Sequence, residues 1–181
     1  MTRPLTMTDV LDAAALAARA HEGQRRKDGR TPYVSHPFRV CLIVRSVFGL
    51  DDPRVLLAAL LHDTIEDTTT DFDDLAERYS SEVAEWVALL TKDKRLPETA
   101  REKAYLRQLT SAPWQVQACK LADVYDNLAD LATMAAERRR KSHERARQYL
   151  DALGASGHAE LRRALESTEQ LWNIQARVVP S

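Results

Sequence analysis

The chain has 181 residues, 44% of them hydrophobic and 29% charged, with a formal net charge of -1. This composition supports an apolar core without disulfides or a structural metal and excludes intrinsic disorder. Near-neutral charge gives no bulk electrostatic case for a nucleic acid or an anionic membrane, so a polyanion must meet a local basic cluster.

Gly is scarce, at 5 residues, and apolar positions recur at helical rather than alternating spacing. Thr8 and Asp9 open a first helix, whose Val10, Leu11, Ala14, Leu16 and Ala17 form one stripe ending near Gly23. Residues 24–35 are polar, basic and broken by Gly29 and Pro32, hence a loop. A second helix is expected from about Pro37 to Phe48, with Pro37 in its first turn. Asp51 or Asp52 caps a third, whose body Val55 to Leu61 is apolar all round and belongs at the centre of the fold. Shorter helices follow at about 73–79 and 82–90, then a charged loop at 91–97 and a helix to about Leu109. Pro113 starts a long helix through Leu131, and two amphipathic helices, about 136–153 and 158–178, are separated by Gly154 and Gly157.

No Gly-, Ser- or Pro-rich linker and no internal repeat interrupts this order. The expectation is an all-α fold: one domain over residues 1–181, with its core at about 8–170, built of eight or nine helices around a central site. Cys41 and Cys119 read as two buried thiols in a reducing compartment. No apolar leader with a small-residue cleavage site precedes Thr8, and no apolar run reaches the ~20 residues of a membrane span. A cytoplasmic protein without nucleic-acid or membrane partners is expected, its oligomeric state open. The run Glu137 to Lys141 has no aromatic interleaving and reads as a solvated helix start.

Chemistry concentrates where the apolar third helix turns polar, at His62-Asp63-Thr64-Ile65-Glu66-Asp67. If the helix continues, Glu66 falls one turn after His62 and Asp67 one turn after Asp63, crowding all four onto one face. Three carboxylates at the end of a buried helix need a compensating cation, most simply a metal. Taken alone, the segment also reads as an exposed polar helix end with His62 as a cap. Two further sites favour the metal: His36, just after the basic loop, and Asp123, on the apolar face of the long helix with Asn127 one turn later. Two imidazoles and two carboxylates suit a first-row divalent ion with open positions.

The order His, His-Asp, Asp resembles the signature of HD-domain phosphohydrolases. A closer resemblance is to the (p)ppGpp hydrolase domain of RelA/SpoT-type proteins, and within them to the stand-alone small alarmone hydrolases. It is carried by Ala20-His21-Glu22-Gly23-Gln24-Arg25-Arg26-Lys27-Asp28-Gly29, Pro32-Tyr33, His36-Pro37, Ala59 to Thr68, Asp93 to Pro97, Lys120-Leu121-Ala122-Asp123 with Asn127-Leu128, and His143 to Tyr149. The resemblance implies that His36, His62, Asp63 and Asp123 hold Mn²⁺, while Glu66 and Asp67 position and deprotonate the attacking water. It further places Arg26 and Lys27 against the purine, Tyr33 and Asn127 near the nucleoside, and Lys94 and Arg145 at phosphates. His21 has no metal role in the family. The implied partner is a guanosine nucleotide, ppGpp or pppGpp, split into GDP or GTP and pyrophosphate.

The chain departs from that pattern after Asp123. The family continues with a basic residue, Leu, an aromatic residue and Asn, whereas this chain reads Val124-Tyr125-Asp126-Asn127. A missing cation after Asp123 and an added acid at Asp126 are expected to weaken phosphate binding or alter base preference, which leaves guanine against adenine, and tetra- against pentaphosphate, open. Two other readings follow: an HD-type phosphohydrolase for another nucleotide, such as the 2′-phosphate of NADPH or an adenine alarmone, or a regulatory nucleotide-binding module without chemistry. The intact ligand set and the Glu66–Asp67 pair argue against the last.

Overall fold

The computed structural model describes residues 3–178. The first helix, α1 (Met7–Ala20), begins earlier than its apolar stripe suggests. Thr6 is the cap, and Asp9 is the acid three residues in, accepting the Thr6 N–H at 2.8 Å. That reciprocal box satisfies backbone donors which the start of a helix leaves without partners.

The basic loop closes on itself. Arg25 and Pro32 form an isolated antiparallel bridge, and the Asp28 carboxylate accepts from the backbone N–H groups of Arg30 and Thr31. Gly29 sits at the tip with φ +72°, a left-handed conformation that side-chain-bearing residues avoid. Helix α2 (Ser35–Leu42) then passes into a π-helical turn, Ile43–Val47, rather than running on as one α-helix to Phe48. The wider turn bonds the Phe48 N–H to the Ile43 carbonyl at 3.0 Å and buries both side chains.

Helix α3 (Pro53–Leu61) has Asp52 as its cap, accepting the Arg54 N–H, with Pro53 where its missing N–H leaves no ladder bond unmade. Every residue from Val55 to Leu61 is buried, as an all-apolar helix requires. Removing a Leu side chain of this kind from water contributes about 1.5–3 kcal/mol.

The helix does not continue through His62 and Asp63, as the sequence reading assumed. His62 Nδ1 donates to the Ala59 carbonyl at 2.8 Å and Thr64 Oγ1 to the Leu61 carbonyl at 2.7 Å. These side chains take the carbonyls that later backbone N–H groups would need, so α3 stops and a separate turn, α4 (Thr64–Asp67), starts. The four polar residues therefore do not share one helical face.

Helices α5 (Phe72–Arg78), α6 (Ser81–Leu90) and α7 (Glu98–Thr110) follow, the first two capped by Asp71 and Ser80. The long helix α8 (Trp114–Ala129) ends just short of its expected limit and passes into a 3₁₀ turn, Leu131–Thr133. Helix α9 (Ala136–Gly154) and helix α10 (Arg162–Gln175), with 3₁₀ turns on either side of α10, complete the described chain. Among the described residues there are nine helices of seven residues or more, the single turn α4, and no strand. The fold is all-α.

One apolar cluster joins α3 and α8 to the helices around them. Helix α3 packs on α1, α2, α6 and α8, while α8 also meets α9 and α10. The C-terminal end of α3, the start of α2 and the middle of α8 thus converge. His143 stacks on Trp172 at 4.5 Å, and each ring bonds the other's backbone carbonyl, clasping α9 to α10. Cys119 is buried as expected, but Cys41 is only half-buried. The Glu137–Lys141 run pairs internally on the exposed start of α9, through Arg140 and Lys141 to Glu137. No helix among the described residues is long and apolar enough to cross a membrane.

Candidate active site

Where α2, α3 and α8 converge, three side chains from separate parts of the chain face one point. His36, His62 and Asp123 each offer a ligand atom, all within 4.8 Å of one another. Asp63 joins them through Oδ2, 3.0 Å from His62 Nε2 and 3.6 Å from His36 Nε2. The break after Leu61 makes this possible, since it turns Asp63 back beside its neighbour's imidazole.

Each imidazole is fixed from behind. His36 Nδ1 donates to Asp126 Oδ2 at 2.7 Å, and His62 Nδ1 to the Ala59 carbonyl at 2.8 Å. Both Nε2 lone pairs are left facing the centre, the arrangement that metal-ligating histidines use. His62 Nε2 is buried and faces Asp63 Oδ2 at 3.0 Å without the geometry of a hydrogen bond. A buried nitrogen whose lone pair lacks a well-aligned donor is costly unless something else fills that role. With carboxylate oxygens close by, the donor set fits a divalent cation.

The electrostatics point the same way. Desolvation opposes ionisation of Asp63 and Asp123, yet the imidazoles, and for Asp123 the Lys120 ammonium, hold both below the usual carboxylate range. Desolvation also disfavours the charged form of His36, but its hydrogen bonds to the Asp123 and Asp126 carboxylates outweigh it and carry the ring up to about 9. Desolvation opposes protonation of His62 as well, but Asp63 outweighs it and raises that ring too.

The four predicted ligands are therefore brought together, and the other predicted residues divide. Glu66 lines the same cleft, and its Oε2 accepts the Lys92 N–H at 2.9 Å. Burial pushes its pKa up, with Asp63 and Asp67 adding to the effect. Asp67 does not line the cleft: it is exposed and paired with Lys94 Nζ at 2.6 Å. Tyr33 donates its hydroxyl to Asp63 Oδ2. Asn127 Nδ2 donates to Asp123 Oδ1 at 2.6 Å, so it steadies a predicted ligand while lining the cleft. Arg26 and Lys27 stand at the mouth, and Arg145 lies next door.

The cleft holds about 340 Å³, and an adjoining one of about 170 Å³ shares Lys27, Lys92, Lys120, Asp123 and Asn127 with it. Sequence reasoning assigned no role to Lys120 or Lys92. Lys120 lies between the rings of Tyr105 and Tyr149, at 5.4 and 4.4 Å, with Nζ 2.6 Å from Asp123 Oδ2. Its spacing of one helical turn from Asp123 was the available signal. Lys92 had none, because a loop position carries no periodicity.

Asp126 corrects an expectation. It is not an acid added beside a phosphate: it is fully buried, pointing away from the cleft into His36, Arg26 and Arg39.

Comparison with known proteins agrees with this geometry. The HD domain family matches residues 13–152. A Xenopus tropicalis protein named guanosine-3′,5′-bis(diphosphate) 3′-pyrophosphohydrolase MESH1 is 41% identical over 123 residues, which are 67% of this chain and 69% of that one. The Homo sapiens protein of the same name is 42% identical over the same shares. Among solved structures, a metazoan ortholog of SpoT, described as hydrolysing ppGpp and playing a role in starvation responses, superposes with a TM-score of 0.79 at 32% identity. That match covers 94% of this chain and 97% of the other. The chain belongs to the HD-domain family and, within it, groups with the MESH1- and SpoT-type proteins.

Proposed function

We propose that the protein is a guanosine-3′,5′-bis(diphosphate) 3′-pyrophosphohydrolase that uses Mn²⁺, held by His36, His62, Asp63 and Asp123. The observation that carries this reading is the convergence of two imidazole Nε2 atoms and two carboxylates on the floor of a cleft with a cationic rim. Relatives named for this activity, matched over two thirds of their length, support it. The whole chain acts as one domain, and its two free thiols suit a reducing cytoplasm.

A divalent cation in this site supplies a Lewis acid next to the 3′ diphosphate. Glu66 takes a proton from the attacking water, its raised pKa bringing it closer to the working pH. The water oxygen bonds to the phosphorus attached to ribose O3′, the P–O3′ bond breaks, and O3′ ends protonated. Asp67, paired with Lys94 outside the cleft, acts through its charge, which helps to raise the Glu66 pKa. Tyr33 and Asn127 keep Asp63 and Asp123 in place while facing the nucleoside. Lys27, Lys92, Lys120 and Arg145 meet the phosphates, and Arg26 with Lys27 meets the base.

Purified protein with Mn²⁺ releases pyrophosphate and GDP from ppGpp, and Asp63→Ala or Asp123→Ala abolishes the release. An intact ppGpp pool after incubation with folded, Mn²⁺-loaded protein rejects the proposal. The same assay run with NADPH and an adenine alarmone sets the substrate: a tenfold or greater preference in kcat/KM for either one moves the assignment to that nucleotide.

A further inference from the structure

Behind His36 lies a charge cluster that phosphoester hydrolysis does not itself require. Asp126, on α8, is fully buried. Its Oδ2 accepts His36 Nδ1 at 2.7 Å and Arg26 Nη2 at 3.1 Å, and its Oδ1 lies 2.6 Å from Arg39 Nε. Both guanidiniums also reach Asp130, at 2.6 Å from Arg26 and 2.9 Å from Arg39. One carboxylate thus joins α8, α2 and the basic loop.

The two imidazoles are therefore backed differently. A peptide carbonyl holds His62, while a side-chain carboxyl group holds His36. An imidazole can turn either nitrogen forward and carry its proton on either one. A carboxylate at Nδ1 fixes both choices and makes Nε2 the stronger donor.

We infer that Asp126 is a positioning residue: it sets His36 with Nε2 toward the metal centre and ties Arg26 of the nucleotide-facing loop to the same imidazole. The inference rests on His36 being a metal ligand. It makes metal binding and nucleotide binding reciprocal, because each orders a group that Asp126 holds.

The test is an electron paramagnetic resonance titration of free Mn²⁺ against wild-type, Asp126→Asn and His62→Ala proteins, with melting curves in EDTA to report folding. Wild type binds Mn²⁺ and His62→Ala loses it. Asp126→Asn binds about 10- to 100-fold more weakly, the loss typical when a partner behind a ligand is changed. Raising Mn²⁺ restores kcat of Asp126→Asn on ppGpp, while KM stays raised several-fold because Arg26 keeps only Asp130 of its two carboxylate partners. Unchanged Mn²⁺ affinity in folded Asp126→Asn, or a kcat that saturating Mn²⁺ does not restore, overturns the inference and leaves the metal centre standing. A wild type that binds no Mn²⁺, or His62→Ala binding as wild type does, removes the centre and the inference together. Should Asp126→Asn not fold, ¹⁵N-histidine spectra of Zn²⁺-loaded wild type decide. A slowly exchanging, far-downfield proton on His36 Nδ1 supports the inference, and an Nδ1 without a proton overturns it.

Discussion

Glu66 and Asp67 are neighbours in sequence with opposite surroundings. Glu66 is drawn into the cleft by the Lys92 N–H, and Asp67 is held at the surface by Lys94. A carboxylate that lines the cleft and has a raised pKa is suited to move a proton. Glu66→Gln keeps the size and the acceptor but cannot take a proton. Its kcat on ppGpp falls by about 10²- to 10⁴-fold, with Mn²⁺ affinity within a few-fold of wild type. Steady-state kinetics beside a Mn²⁺ titration checks both, and an equal loss of metal binding would make Glu66 a ligand instead. The pair was legible in the sequence as acids beside a His-Asp motif. The division of labour was not, because it depends on loop residues 26 and 27 positions away.

At the scale of elements, α3 and its abrupt end matter most. An unbroken α3 would carry Asp63 around the helix axis, away from His62 Nε2, and the break returns it to 3.0 Å. Leu57, fully buried in the middle of α3, anchors this helix. Leu57→Ala destabilises the protein by about 2–5 kcal/mol, the range for a buried Leu whose site only partly collapses. Urea unfolding measures the loss, and a cost below about 0.5 kcal/mol would mean that α3 is not the hub described. Helix positions were readable because apolar stripes, Pro in first turns and Asp or Ser caps are local features. The π-turn after Leu42 and the break at His62 were not. Each is set by what the side chains bond after packing, the Ile43 carbonyl in one case and the Ala59 and Leu61 carbonyls in the other.

For the whole molecule, a metal held by the proposed ligands would cross-link α2, the end of α3 and α8, so occupancy and stability would be coupled. Without metal, His36 titrates at about 9 rather than at its ordinary 6.5. A raised folded-state pKa adds stability that is complete below 6.5 and is lost as pH rises through about 9. A metal ligand must be unprotonated, so Mn²⁺ competes with that proton. The melting temperature of metal-free protein therefore falls between pH 7 and 9.5, while the increment from Mn²⁺ grows over the same range. Melting curves with EDTA and with Mn²⁺ at several pH values measure both, and an increment that shrinks toward pH 9 contradicts the assignment of His36. Sequence by itself determined the all-α class, the central place of α3, and the His36, His62-Asp63 and Asp123 set. Periodicity, caps and clustered acids are written in adjacent residues, and the motif order carried the family resemblance. Tertiary structure alone decided that Asp126 faces inward to His36, that Lys120 sits against Asp123 between two tyrosines, and that Asp67 lies outside the cleft. Those outcomes depend on groups from distant segments being desolvated together, and a buried charge takes whichever partner the packing brings within reach.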